Sequence, residues 1–257
     1  MIVQGCGKAG LLQCRYHGWS YRLDGSLHNA RGVEIDADEG QLPRVAVACL
    51  GPLLFASADT EATPSSLPDT MGPFTTLVTE VSRVDIARLE CRRNIDHEIA
   101  ANWKLVAENF MECYHCPLIH RDTLPDYGGT DYVVQEHGIL ITHRLDRDRF
   151  SWASLFPNTQ ISVFGDRGAL VARRLTPDGS EHTRVNLDYW FEPDIGEPEA
   201  KEFVDWFERI VAEDLPLCAS VQRGIGSSGL ERGLLHPDQE RSLVHFQRLL
   251  REALGGT

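Results

Sequence analysis

The chain has 257 residues, 42% of them hydrophobic and 25% charged, enough for one large core or two modest ones. Lys and Arg number 25 against 38 Asp and Glu, giving a formal charge of −13 and a pI near 5.2. That balance argues against any general affinity for nucleic-acid phosphates or anionic membranes. The most apolar stretch, 45–58, is broken at Gly51-Pro52 and falls short of the ~20 residues a bilayer crossing needs. The opening MIVQGCGKAGLLQC lacks the basic start and apolar core of a signal peptide. Seven irregularly spaced cysteines point to reduced thiols or metal ligands, not a disulfide framework. The expectation is a soluble, cytoplasmic chain with neither nucleic acid nor membrane as partner.

Residues 1–58 predict a β- and turn-rich region, with apolar runs at 45–50 and 53–56 and turns at Asp24-Gly25, Glu39-Gly40 and Gly51-Pro52. Residues 57–69 are polar, carry two prolines and form the linker candidate. From 96 to 116, Ile99, Trp103, Val106, Phe110 and Cys113 recur in steps of four and three, the mark of one helix face. Alternation at 138–143, 160–164, 169–173 and 184–191 predicts antiparallel strands. Two amphipathic helices, 200–223 and 237–254, close the chain.

On the 96–116 helix, Glu108, Glu112 and His115 form a polar stripe nearly opposite the apolar one. Taken alone, such a stripe is more often a solvated face than a site. His115 and His120 would lie ~140° apart on an unbroken helix. Pro117 disfavours helix at Cys116 and turns the chain, so both histidines can face one metal. On the helix at 200–223 the apolar stripe of Phe203, Phe207, Ile210, Leu217 and Val221 includes Asp214. A carboxylate on a buried face needs a metal, or an Arg or backbone donor, to offset its desolvation. Two histidines and one carboxylate make the facial triad of non-haem Fe(II) oxygenases.

Near the other end, Cys14-Arg-Tyr-His17-Gly-Trp-Ser-Tyr21 reads C-x-x-H-G-W-x-Y. The string resembles the second half of a Rieske motif, in which Cys₂His₂ ligates a [2Fe–2S] centre. With Asn102-Trp-Lys, Glu108-Asn, Leu155-Phe-Pro-Asn158, Glu213-Asp214 and Val221-Gln-Arg-Gly224, the chain resembles the α subunit of Rieske non-haem iron ring-hydroxylating oxygenases. The resemblance implies an α+β fold. A partial, β-rich Rieske domain at 1–58 would precede a helix-grip catalytic domain, an antiparallel sheet plus helices, at 59–257. It implies mononuclear Fe(II) on His115, His120 and Asp214, and a bridging carboxylate, Glu112, that contacts a Rieske histidine across a subunit interface. The activity implied is O₂-dependent mono- or dioxygenation of a small organic substrate. Electrons would come from NAD(P)H through a reductase or ferredoxin, and the assembly would be a homotrimer or another oligomer. Glu112-Cys-Tyr-His-Cys is similar to the choline, betaine and carnitine branch, so the substrate is a quaternary amine or an aromatic ring.

The departure is at the cluster. Cys14 and His17 supply one half of its ligands, and no C-x-H precedes Cys14 in this sequence. Cys6 has no histidine two residues on, so the [2Fe–2S] group is expected in a full-length parent and not on this chain. The reading from another class is a truncated, catalytically silent helix-grip binding or assembly module. Other motifs read as structural: His137 and His143 at strand ends, Cys113-x-x-Cys116 as core packing, Cys49, Cys91 and Cys218 as core cysteines. Gly224-x-Gly226 follows no strand and is a poor dinucleotide signal. Trp103 and Phe110 belong to the packing face; Trp152, Phe156, Tyr189 and Trp190 are available for an aromatic cage around a cation.

Overall fold

The computed structural model describes all residues except 1–5, 37, 58–62, 64–65, 125–131, 146–149, 228, 230–231 and 256–257. Two compact units emerge, 1–49 with 54–67, and 50–53 with 68–257. The expected boundary at 58/59 lies outside the described residues.

In the first unit, β1 (Leu11–Gln13), β2 (Ser20–Arg22) and β3 (Leu27–Asn29) form a three-stranded sheet in that order. The strands run antiparallel. Asp24-Gly25 makes the β2–β3 turn, where Gly25 adopts φ +86°, a conformation open to glycine at little cost. Asp24 Oδ1 accepts from the Ser26 amide at 2.9 Å. A two-stranded sheet joins β4 (Ala46–Leu50) to β5 (Leu53–Ser57).

The larger unit is built on a seven-stranded sheet. Its strands are β6 (Glu90–Ile99), β7 (Tyr132–His137), β8 (Leu140–Leu145), β9 (Phe150–Leu155), β10 (Thr159–Phe164), β11 (Ala169–Pro177) and β12 (Thr183–Phe191), in the spatial order β6-β12-β11-β10-β9-β8-β7. Every neighbouring pair is antiparallel. On β12 the alternation is regular, with Thr183, Val185, Leu187, Tyr189 and Phe191 buried. On β9 and β10 burial is nearly continuous, because both faces are covered. Helix α1 (Ser66–Thr76) continues into a π-helical turn at 77–82. Ser82 and Ser151 share a 2.9 Å hydroxyl hydrogen bond there. A Cβ on Gly165 would meet the Ser82 carbonyl at 2.0 Å, so this approach requires glycine.

The other face receives α2 (Trp103–Asn109), α4 (Glu197–Gly226) and α5 (Arg241–Ala253), while α3 (Cys116–Ile119) is one short turn. Ala200, Phe203, Val204, Phe207, Val211, Asp214 and Cys218 form the buried stripe of α4. Together with sheet residues such as Val171, Val185, Leu187 and Phe191 they make the core. Val221, placed on that stripe by the sequence, shares the phase of Phe203 yet is 51% exposed; the buried part of the stripe ends at Cys218.

Three expectations are corrected. The 96–116 segment is not one helix: β6 occupies its start, α2 ends at Asn109, and Glu112 and Cys113 lie in irregular chain. Asn102 begins α2 by accepting from the Lys104 amide at 3.0 Å, an N-cap that separates strand from helix. Pro117 opens α3, where a missing N–H costs nothing. Second, Cys113 and Cys116 form a disulfide, since the chain turns back between α2 and α3; neither reduced thiols nor simple packing describes them. Third, Cys49 and Cys91 are exposed, leaving Cys218 as the buried free cysteine among those named. Helix α1 also begins inside the predicted linker, at Ser66.

Candidate metal centre

His115 caps the N-terminus of α3 and His120 ends it, so one helical turn separates the two rings and sets their centroids 5.3 Å apart. Asp214 enters from α4. Its Oδ1 lies 3.4 Å from His115 Nε2 and 3.2 Å from His120 Nε2. That oxygen is buried and makes no well-formed hydrogen bond, a costly state for a carboxylate unless a cation takes it.

Each imidazole is anchored on its far side. Glu112 Oε1 contacts His115 Nδ1, while Glu112 Oε2 accepts from the Tyr114 and His115 amides. Glu213 Oε2 meets His120 Nδ1 at 2.7 Å and accepts from the Thr123 hydroxyl at 2.6 Å. Carboxylates on Nδ1 fix the ring and leave Nε2 free to ligate. Sequence reasoning missed Glu213, which sits off the apolar stripe beside Asp214. Glu108 is not part of the centre: it accepts from Gln247 of α5 at 2.9 Å.

The electrostatics follow from this geometry. Burial opposes a charge on His115, yet its contacts with Asp214 and Glu112 prevail and hold its pKa up to about 10. His120 is also raised, Asp214 and Glu213 outweighing burial. Asp214 is lowered, because the two imidazoles outweigh its own desolvation. Both imidazoles are thus biased toward the charged form beside one ionised carboxylate, a place where a divalent cation can stand instead. Among the described residues, His115, Cys116 and His120 offer ligand atoms within 4.8 Å of one another. The sulfur of Cys116 is committed to Cys113, which leaves two imidazoles and the nearby Asp214 oxygen, a donor set that fits iron.

The centre opens on a cavity of about 80 Å³ walled by Phe110, Phe150, Trp152, Phe164, Trp206 and Phe207, with Ser162 and Arg173 as polar lining. Phe110, read from sequence as pure packing, is a wall. Of the four aromatics named as cage candidates only Trp152 lines the cavity. Tyr189 donates its hydroxyl to Glu208 and Phe156 packs on Phe246. His143 does not sit at a strand end. It is fully buried, stacked on Trp152 at 4.7 Å, with Nδ1 2.8 Å from the Tyr132 hydroxyl. In the other unit Cys14 is half-buried and His17 exposed, on the loop between β1 and β2. Cys6 is exposed.

The family described as ring hydroxylating alpha subunit (catalytic domain) matches residues 86–144 and 141–256, well over half of the chain. The chain belongs to that family. It is 28% identical to the carnitine monooxygenase oxygenase subunit of Escherichia coli (strain K12), covering 97% of this chain and 73% of that one. It is equally 28% identical to the chloroplastic choline monooxygenase of Arabidopsis thaliana, covering 99% and 66%. A solved quaternary ammonium Rieske monooxygenase, described as revealing insights into carnitine oxidation and inter-subunit electron transfer, superposes with a TM-score of 0.76. It is 26% identical and covers 98% of this chain and 74% of its own. The protein is therefore a Rieske-type non-haem iron oxygenase catalytic subunit. It acts with O₂ and an external electron donor on a small organic substrate. No helix among the described residues is long and apolar enough to cross a membrane.

Proposed function

We propose that His115, His120 and Asp214 hold one mononuclear Fe(II), and that this centre hydroxylates a small quaternary amine or aromatic substrate seated in the adjoining cavity. The observation that carries the reading is Asp214 Oδ1, buried, without a well-formed hydrogen bond and within 3.4 Å of both Nε2 atoms. Held by these three residues, iron would supply the activation of dioxygen. The chain's own contribution is orientation and exclusion of water. Glu112 and Glu213 hold the two rings, and the six aromatic walls keep the reacting space apolar.

In this proposal residues 1–58 form part of a Rieske domain and 59–257 the catalytic domain. Cys14 and His17 are half of a [2Fe–2S] donor set, and the remaining half does not fit any pair preceding Cys14 in this sequence. Glu112 keeps the bridging role toward a Rieske histidine of a neighbouring subunit, with electrons drawn from NAD(P)H through a reductase or ferredoxin in a homotrimer or another oligomer. Carnitine and choline, named for the relatives, support the quaternary-amine side of that reading.

Anaerobic Fe(II) titration tests the site. The chain should bind one iron; His115→Ala, His120→Ala and Asp214→Ala should each abolish tight binding. Glu112→Gln should keep the iron and, once an upstream C-x-H is restored, lose turnover. Full iron occupancy in the His115→Ala, His120→Ala double variant would refute the site.

A further inference from the structure

Strand β11 turns Arg173 toward the helices, paired in register with Gln160 of β10. The residue is 7% exposed. Its guanidinium carbon stands 3.7 Å over the Phe110 ring, and Nη1 donates to Gln160 Oε1 at 3.0 Å. Nε is buried with no acceptor. Among the described residues no carboxylate makes an ion pair with it; Asp214 and Glu208 act on it only at a distance. A buried guanidinium with open donors is expensive to maintain, and this one lines the same cavity as His115, His120 and Asp214.

We propose that Arg173 anchors a carboxylate on the substrate. The inference rests on the proposed function in taking this cavity as the substrate site, and it deepens that reading by fixing a substrate class. Arg presents planar donors that match a carboxylate and bind it by charge-assisted hydrogen bonds. The charge is local to the guanidinium. With both imidazoles neutral on a divalent metal, Asp214, Glu112 and Glu213 balance the metal and Arg173, so what draws a carboxylate is the unpartnered Arg173 donor on the cavity wall. The aromatic walls then take the other end of the molecule, whether a ring or an alkylammonium group.

Trp152 and Trp206 line the cavity, so quenching of their fluorescence can report binding. Two matched probe pairs are titrated into the metal-free chain, and again into the anaerobic Fe(II)-loaded chain: benzoate against benzyl alcohol, and γ-butyrobetaine against choline. In at least one pair the carboxylate should bind roughly ten- to a hundred-fold tighter, the range expected for hydrogen bonds to a charged group. Arg173→Gln should erase that difference in both forms of the protein. Arg173→Lys, which keeps the charge but not the fork, should retain the preference with weaker affinity. Should Arg173→Gln fail to fold, as circular dichroism will show, the lysine variant decides, and unchanged affinity in it overturns the proposal. Equal binding within both pairs, no binding of either carboxylate, or a preference that survives in Arg173→Gln also overturns it. The last outcome would assign the preference to the protonated histidines. Because the preference is read in the metal-free chain, a failure of iron titration is a separate result.

Discussion

At the scale of single residues, the chain places charge where it has to be answered. Glu213 illustrates this: half its task is to hold His120 Nδ1 and half to accept from Thr123. Outer carboxylates of this kind typically alter metal affinity by 10–100-fold. Glu213→Ala should therefore weaken iron binding by about that factor without abolishing it, and Glu213→Gln, which still accepts from Nδ1–H, by less. Competition titration against a metal indicator separates these from the complete loss expected of His120→Ala. His143 poses the opposite case, a histidine kept neutral. Burial among Tyr132 and Trp152 lowers its pKa to about 3, against an ordinary value near 6.5. Its contribution to stability is full above about pH 6.5 and is lost as pH falls toward 3, by about 1.4 kcal/mol per unit. Between pH 7 and 5 the native chain should lose about 2 kcal/mol more than His143→Phe in urea unfolding. Equal losses would show that His143 does not carry this dependence. His115, raised to about 10, has the reverse sign: in the metal-free chain its contribution is present below about pH 6.5 and lost as pH rises toward 10.

At the scale of elements, helices and strands differed in how openly the sequence declared them. Helix α4 was plain because Phe203, Phe207 and Asp214 share one phase, and the polar exception on that phase was the functional residue. Arg173 was the same kind of exception, on the buried phase of β11 with Ala169 and Val171, yet nothing in the alternation said what it faced. Strand β6 was hidden because it is an edge strand rich in charge, so its exposed residues broke the expected period and Ile99 was read into the following helix. Strand β9 was hidden for the converse reason, since burial on both faces leaves no alternation to see. The reversal that brings His115 beside His120 depends on how α3 begins. If Pro117 is an initiating residue and not a break, Pro117→Ala should cost no more than about 1 kcal/mol and leave iron stoichiometry at one. A collapse of iron binding in that variant would return Pro117 to the role of a required kink.

At the scale of the whole molecule, two chemistries are distributed over two units that need not stand or fall together. Cys14 and His17 lie in one, the His115–His120–Asp214 centre in the other. The purified chain of 257 residues should accordingly lack the visible absorption and the reduced-state paramagnetic signal of a Rieske cluster while binding one Fe(II). Stoichiometric [2Fe–2S] would overturn this and direct attention first to Cys6. Iron, binding only the folded centre, should also raise the stability of the larger unit, by about 2.7 kcal/mol at a hundred-fold excess over its dissociation constant.

Asp214 and Glu213 are consecutive residues on one helix, and they address the same imidazole, His120, at its two nitrogens. Neither can be repositioned without the other, because a helix rotates as a body and each residue is tied to its neighbour at ~100°. Metal affinity therefore behaves as an alignment gauge for α4. Phe203 lies three turns from Asp214, ~16 Å along the axis, and touches no ligand, yet it seats the helix on Phe164 and Phe191. Loosening that seat should be felt at the iron before it is seen in the fold.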